Sequence, residues 1–262
     1  MTFALIGILL APLAGKGEQN AVTLVHFGDS TCITTYLPES TRVDVLLNER
    51  LRGYYSCLDL KSWNVAQGGD YIAQFLDSGR YKTDVLERIP HIDLALIRYG
   101  HNDQKNYDAG TFRHKLAELC DRLEADYPGI TIILETNTWI DPQHFASAAS
   151  AERLNEKLNP FWDQIRALAD ERGYPLIDIH ARKIAETRRG NWDQRIRNQQ
   201  IALERFGERI LDNSRDVEML DVPNWFTDSH PNANGVRIMV DEAYRRITQL
   251  WPENLPVSTD EN

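Results

Sequence analysis

The chain has 262 residues, 42% of them hydrophobic and 26% charged, with a formal net charge of −10. That length suits one α/β domain of ordinary size or at most two small ones, with a sizeable core in either case. No basic stripe with interleaved aromatics is present, which argues against nucleic acid as a partner, and an acidic balance disfavours polyanions at long range.

Phe3 to Ala14 is apolar, about the length of a signal-peptide core and too short to span a bilayer. Ala11 to Gly15 offers a small-residue cleavage site, although no Lys or Arg precedes the run. Residues 1–20 are therefore expected to be a signal peptide or an N-terminal tail, with export in the first case and a cytoplasmic protein in the second. Val22 to Phe27 reads as a first strand, ended by Gly28, and Val43 to Leu58 has helical spacing at Val45, Leu46 and Leu51. Trp63 to Ala66 is a short second strand before Gly68-Gly69, and Leu94 to Tyr99 is a third, apolar on both faces. Phe112 to Ala125 is an amphipathic helix and Ile130 to Leu134 a fourth strand. Ala151 to Glu171 is a long helix with a bend expected at Pro160, Pro175 to Ile179 a fifth strand, and Gly235 to Leu250 a closing helix.

Largely apolar strands separated by helices indicate an α/β fold with a parallel sheet covered on both faces. Five such strands fit the flavodoxin-like doubly wound three-layer sandwich, whose order 2-1-3-4-5 puts a binding crevice between the carboxyl ends of strands 1 and 3. Residues 21–252 are read as one domain and 253–262 as a C-terminal tail. The polar stretch 182–226, with Trp192, Phe206 and Trp225, is read as an insertion over the crevice, a lid or a solvated excursion. Cys32, Cys57 and Cys120 include no Cys-x-x-Cys; they read as free buried thiols, or one chance disulfide, and not as a zinc set.

Three polar clusters fall where loops follow apolar runs. Gly28-Asp29-Ser30 follows strand 1, Gly100-His101-Asn102-Asp103 follows strand 3, and Asp228-Ser229-His230-Pro231-Asn232 precedes the last helix. Serine becomes a nucleophile when a neighbouring base takes its proton, and acyl transfer needs donors aimed at the developing oxyanion. Ser30 as nucleophile, His230 as base, and Asn102, the Gly69 N–H and the Ser30 N–H as oxyanion donors form such a set if the fold gathers them. Each cluster alone has a structural reading, because Asp, Ser and Asn also cap helices.

In these blocks the chain resembles the SGNH (GDSL-type) hydrolase superfamily. The matches are His26-Phe27-Gly28-Asp29-Ser30, Asn64-Val65-Ala66-Gln67-Gly68-Gly69, Gly100-His101-Asn102-Asp103 and His230-Pro231-Asn232. The resemblance spans Val22 to about Leu250, and four blocks in order make it specific. It implies a Ser-His hydrolase of esters that needs no metal or other cofactor, acting on lipids, acyl thioesters or acetyl groups on carbohydrate. The family places its acid three residues before the histidine, where this chain has Thr227; Asp228 sits two before. Asp228 is expected to orient the imidazole through a tighter turn, with Asp221 or a backbone carbonyl as alternatives.

Asp29, Arg98, Tyr99 and Trp225 are weaker candidates for substrate contact, as are the faces of Trp139 and Trp192. Arg98 requires a carboxylate, from the protein or from an acidic sugar, and Glu135 is a further candidate for the crevice wall. Cys32 lies near Ser30 but lacks a paired histidine. The expected activity is hydrolysis of short acyl esters, chiefly O-acetyl groups on carbohydrate, by an acyl-enzyme route. The rival readings are a lipase, thioesterase or acyltransferase on the same site, a metal-dependent phosphoesterase, and a carbohydrate-binding protein without catalysis.

Overall fold

A computed structural model describes residues 21–142 and 148–257; the expected signal or tail segment at 1–20 lies outside the described residues. Five strands form an all-parallel sheet: β1 (Ala21–Gly28), β2 (Asp59–Asn64), β3 (Leu94–Arg98), β4 (Thr131–Glu135) and β5 (Leu176–Ile177). Their order is β2-β1-β3-β4-β5, so β1 and β3 are neighbours and their carboxyl ends flank the point where the winding reverses. The expected doubly wound α/β architecture is the one observed.

The strands alternate apolar residues between two cores, as a pleated sheet requires. Val25, Phe27, Ala95, Ile97, Ile132 and Leu134 enter one core, covered by α3 (Ile72–Asp77), α4 (Ala109–Asp126) and α5 (Ala148–Arg172). Val22, Leu24, Leu94, Leu96, Ile133 and Ile177 enter the other, covered by α2 (Val43–Tyr54) and α9 (Ala233–Leu250), which pack on each other, and by α6 (Ile179–Arg188).

Two strands differ from their expected bounds. β2 begins at Asp59 because an edge strand needs little burial: only Leu60 of its six residues is buried, so no apolar run announces it. The expected residues Trp63 to Ala66 straddle its end, and the chain continues beside β1 through Val65 N to His26 O (3.0 Å) and Gln67 N to Gly28 O (3.1 Å). β5 is only two residues long because Asp178, the expected fourth strand residue, instead caps α6 by accepting from Ala181 N (3.0 Å). Helix α5 runs through Pro160 without interruption. The stretch 182–226 carries the end of α6, then α7 (Gln199–Phe206) and α8 (Asp216–Met219), and holds a small core of Ala202, Ile210, Met219 and Trp225. Cys32 and Cys120 are buried free thiols; Cys57 is free and exposed, unlike its expected burial.

Candidate active site

Ser30 is the first residue of α1 (Ser30–Ile33), the short helix that turns out of β1. Gly28 makes the turn sterically feasible: a Cβ there would lie 2.5 Å from Arg98 O and 2.8 Å from Cys32 Cβ. Asp29 caps the helix, its Oδ1 accepting from Thr31 N (2.8 Å) and Thr31 Oγ1 (2.7 Å). Beneath, Arg98 donates to Thr31 O (3.0 Å) and pairs with Glu135 (2.7 Å), both side chains being fully buried. Asn137 Nδ2 donates to Thr31 Oγ1 (2.8 Å). The turn that carries Ser30 is thus tied to the ends of both β3 and β4.

His230 reaches this turn from across the cleft, its Nε2 lying 2.8 Å from Ser30 Oγ. Its Nδ1 is 2.6 Å from Asp228 Oδ1, and the same oxygen accepts from His230 N (2.9 Å). A carboxylate only accepts, so Nδ1 carries the proton and Nε2 is left to accept from the Ser30 hydroxyl. The acid two residues upstream therefore reaches the ring by folding back onto its own turn, and Nδ1 faces neither Asp221 nor a backbone carbonyl. Thr227 instead closes the turn, donating to Asn224 O (2.9 Å). Ser229 Oγ shares a hydrogen bond with His101 Nε2 (3.2 Å), which joins the histidine's turn to the loop after β3.

That loop carries Asn102, whose amide is held at both ends: Nδ2 donates to Asp70 O (3.1 Å) and Oδ1 accepts from Lys105 Nζ (3.2 Å). The second Nδ2 proton has no acceptor in these bonds. Asp103 organises the loop from below, accepting from Gly100 N (2.8 Å), Ile72 N (3.1 Å) and the Tyr107 hydroxyl. Burial raises the Asp103 carboxyl to about 6, although the hydrogen bonds from Tyr107, Ile72 and Gly100 oppose the shift. Gly69 adopts φ 81°, a left-handed conformation that disfavours a side chain. Among the described residues neither the Gly69 N–H nor the first-turn Ser30 N–H donates to a backbone acceptor.

Ser30, Gly69, His101, Asn102, Lys105, Asn198, Thr227, Asp228, Ser229 and His230 line one cleft of about 500 Å³. The fold thus gathers Ser30, His230, Asp228, Gly69 and Asn102. It does not bring the expected contact residues Asp29, Arg98, Tyr99 and Trp225 to the surface: they are 0%, 1%, 1% and 0% exposed and line no part of this cleft. Each has an internal partner instead. Arg98 pairs with Glu135, which is likewise inside the protein, Tyr99 faces Asp70 (3.4 Å), and Trp225 Nε1 donates to Asp216 (2.9 Å). Trp139 and Trp192 do not line the cleft either. Burial pushes the Cys32 thiol far up, which leaves it inert as a nucleophile. Lys105 and Asn198 carry no motif signal, and only their place in the fold identifies them as cleft residues. Among the described residues no group of three His, Cys, Asp or Glu side chains is arranged to hold a metal, and no helix is long and apolar enough to cross a membrane.

Residues 26–238 match the model of the GDSL-like lipase/acylhydrolase family. The rhamnogalacturonan acetylesterase RhgT of Bacillus subtilis (strain 168) is 30% identical over 122 residues, 45% of this chain and 49% of that protein. The match thus spans about half the length of that curated relative. A member of the lipolytic G-D-S-L family from Veillonella parvula superposes with a TM-score of 0.58 at 14% identity, covering 87% of this chain and 99% of that one. The acetyl xylan esterase AlAXEase superposes with a TM-score of 0.61 at 19% identity, covering 86% and 100%. These two likenesses show the shared fold.

Proposed function

Because the chain belongs to the GDSL-like lipase/acylhydrolase family, we propose that it is a carboxylic ester hydrolase that removes short acyl groups, chiefly acetyl groups on carbohydrate, through an acyl-enzyme on Ser30. The observation that carries this reading is the unbroken hydrogen-bonded line from Asp228 through His230 to Ser30, opening on the cleft.

In this reading His230 Nε2 takes the Ser30 proton as Oγ attacks the ester carbonyl, and the imidazolium formed is stabilised by Asp228. The tetrahedral oxyanion lies against the Ser30 and Gly69 N–H groups and the spare Nδ2 proton of Asn102. His230 then returns the proton to the leaving alcohol, and a water activated by the same nitrogen releases the acid. A mostly polar cleft of this size favours a short acyl group over a long chain. The rhamnogalacturonan acetylesterase relative makes an acetylated saccharide the first substrate to test.

The test is turnover of p-nitrophenyl acetate, butyrate and octanoate by wild type and Ser30→Ala, with and without EDTA. Acetate preference, EDTA insensitivity and loss of at least a thousandfold in Ser30→Ala are expected. Activity that survives Ser30→Ala overturns the nucleophile assignment, and chelator-sensitive activity would favour the phosphoesterase-like metal route.

A further inference from the structure

A second cleft, of about 400 Å³, lies on the other side of the Gly68-Gly69 step from the catalytic one. Gly68 lines the second cleft and Gly69 the first, and a Cβ on Gly68 would stand 3.9 Å from Ser30 Cβ. The two clefts thus meet at a stretch of backbone without side chains, beside Ser30.

Two side chains of the second cleft, Gln67 and Arg88, offer hydrogen-bond donors that the protein does not use. Asn64 Oδ1 accepts from Ala66 N (3.1 Å), and its Nδ2 is closed off from solvent, so Asn64 offers the cleft no free donor. The exposed Gln67 adds an amide. Two arginines line the cleft, and they differ. Arg80 is fully engaged, with Asp70 (2.6 Å), Asp84 (2.8 Å) and Val65 O (2.8 Å). Arg88 rests over the Trp63 ring, 5.7 Å from its centroid, and among the described residues its guanidinium makes no ion pair. Trp63 thus supports a cation that pairs with no carboxylate among the described residues, the cleft's own Asp84 being taken by Arg80.

Sugar hydroxyls suit amide donors, while an unpaired guanidinium selects a group that only accepts, in two parallel bonds. We propose that this cleft is a subsite for a carboxylate-bearing sugar residue, a uronate, linked to the residue whose ester is cleaved at Ser30, with Arg88 as its specificity determinant. This rests on the proposed function above. At a net charge of −10 the protein's far field does not attract an anionic polymer. Selection of an acid must therefore be local, within a screening length of Arg88.

The experiment compares kcat/KM on acetylated galacturonate oligosaccharides with that on acetylated xylo-oligosaccharides, for wild type, Arg88→Ala and Arg88→Lys. The acid-to-neutral ratio should fall by about tenfold to a hundredfold in Arg88→Ala, the range of one charge-assisted contact, and recover in part in Arg88→Lys. An unchanged ratio overturns the subsite. A second arm titrates unacetylated galacturonate and xylose oligomers into Ser30→Ala by calorimetry; tighter binding of the acidic oligomer supports the subsite and equal binding overturns it, whatever the turnover. Failure of the nucleophile reading shows separately, as p-nitrophenyl acetate activity that survives Ser30→Ala.

Discussion

Asp228→Asn tests the tight turn most directly. The Asp228 carboxylate oxygen holds both the ring and the backbone N–H of His230, at 2.6 and 2.9 Å. Asparagine keeps the shape and removes the charge. If its amide nitrogen faces Nδ1, the ring must move its proton to Nε2, which then cannot accept from Ser30. With the carboxylate and the developing imidazolium about 4 Å apart and an effective dielectric of about 20, the lost attraction is about 4 kcal/mol, near a thousandfold in rate. The tautomer change brings the total towards about ten thousandfold. The assay is kcat for p-nitrophenyl acetate across pH 6 to 9, with thermal unfolding as a control for folding. Placing a carboxylate at the family's usual position, Thr227→Asp in the Asp228→Asn background, should restore less than about tenfold, because the Thr227 side chain turns to Asn224 O and Asn198. An Asp228→Asn enzyme within tenfold of wild type, or recovery by Thr227→Asp, would refute this reasoning.

Glu135→Gln leaves Arg98 buried without its counter-charge and should cost about 3–5 kcal/mol. For 262 residues that is a fall in Tm of roughly 5–9 °C, read by calorimetry. His26 is wholly buried and its pKa is lowered to about 4, by desolvation first. A depressed histidine favours the neutral folded state, so its contribution is present above pH 6.5 and lost as pH falls towards 4. About 3 kcal/mol is at stake. Denaturant unfolding of wild type and His26→Val at pH 7 and pH 4 should show the variant losing less on acidification. Asp103→Asn exchanges one of two accepting oxygens for a donor facing a backbone N–H. It should lower kcat by at least about tenfold through displacement of the Asn102 loop, with KM moving less, as initial-rate kinetics would report.

The site was legible where chemistry is written into residue type and order. Gly28-Asp29-Ser30 and Gly100-His101-Asn102-Asp103 follow strands whose alternation is plain, and a parallel sheet with β1 beside β3 brings them together. Asp228 was legible as a carboxylate close to the histidine, but the geometry that sets it against the ring, one oxygen taking two bonds from His230, depends on backbone dihedrals that spacing does not reveal. The substrate contacts were misplaced because an aromatic or arginine at a strand end carries no sign of which way it faces. Tyr99 and Arg98 are adjacent in sequence, and both turn inward to carboxylates, Asp70 and Glu135. Helix α3 went unseen because six residues with Ile72, Phe75 and Leu76 inward give little more than one turn of periodicity. The strands at the sheet's two edges shifted for the reason edges always do: they are specified by partners and caps, not by an apolar run.

Ser30 and His230 are held by different parts of the chain. Ser30 is anchored to the sheet, whereas the turn that carries His230 is bound to the insertion. Ile196 N donates to His230 O (2.9 Å), Asn232 N donates to Gln194 O (3.1 Å), and Arg195 donates to the carbonyls of Phe226 and Asp228 (3.2 Å each). That insertion has a small core of its own around Trp225, far smaller than either face of the sheet, and joins the core under α2 and α9 only through Ile196 and Leu211. Small cooperative units open at lower free energy than the whole. Heating should therefore silence the enzyme before the sheet melts, and cooling should restore it at the speed of a local refolding. Activity in this protein is a thermometer of its smallest core.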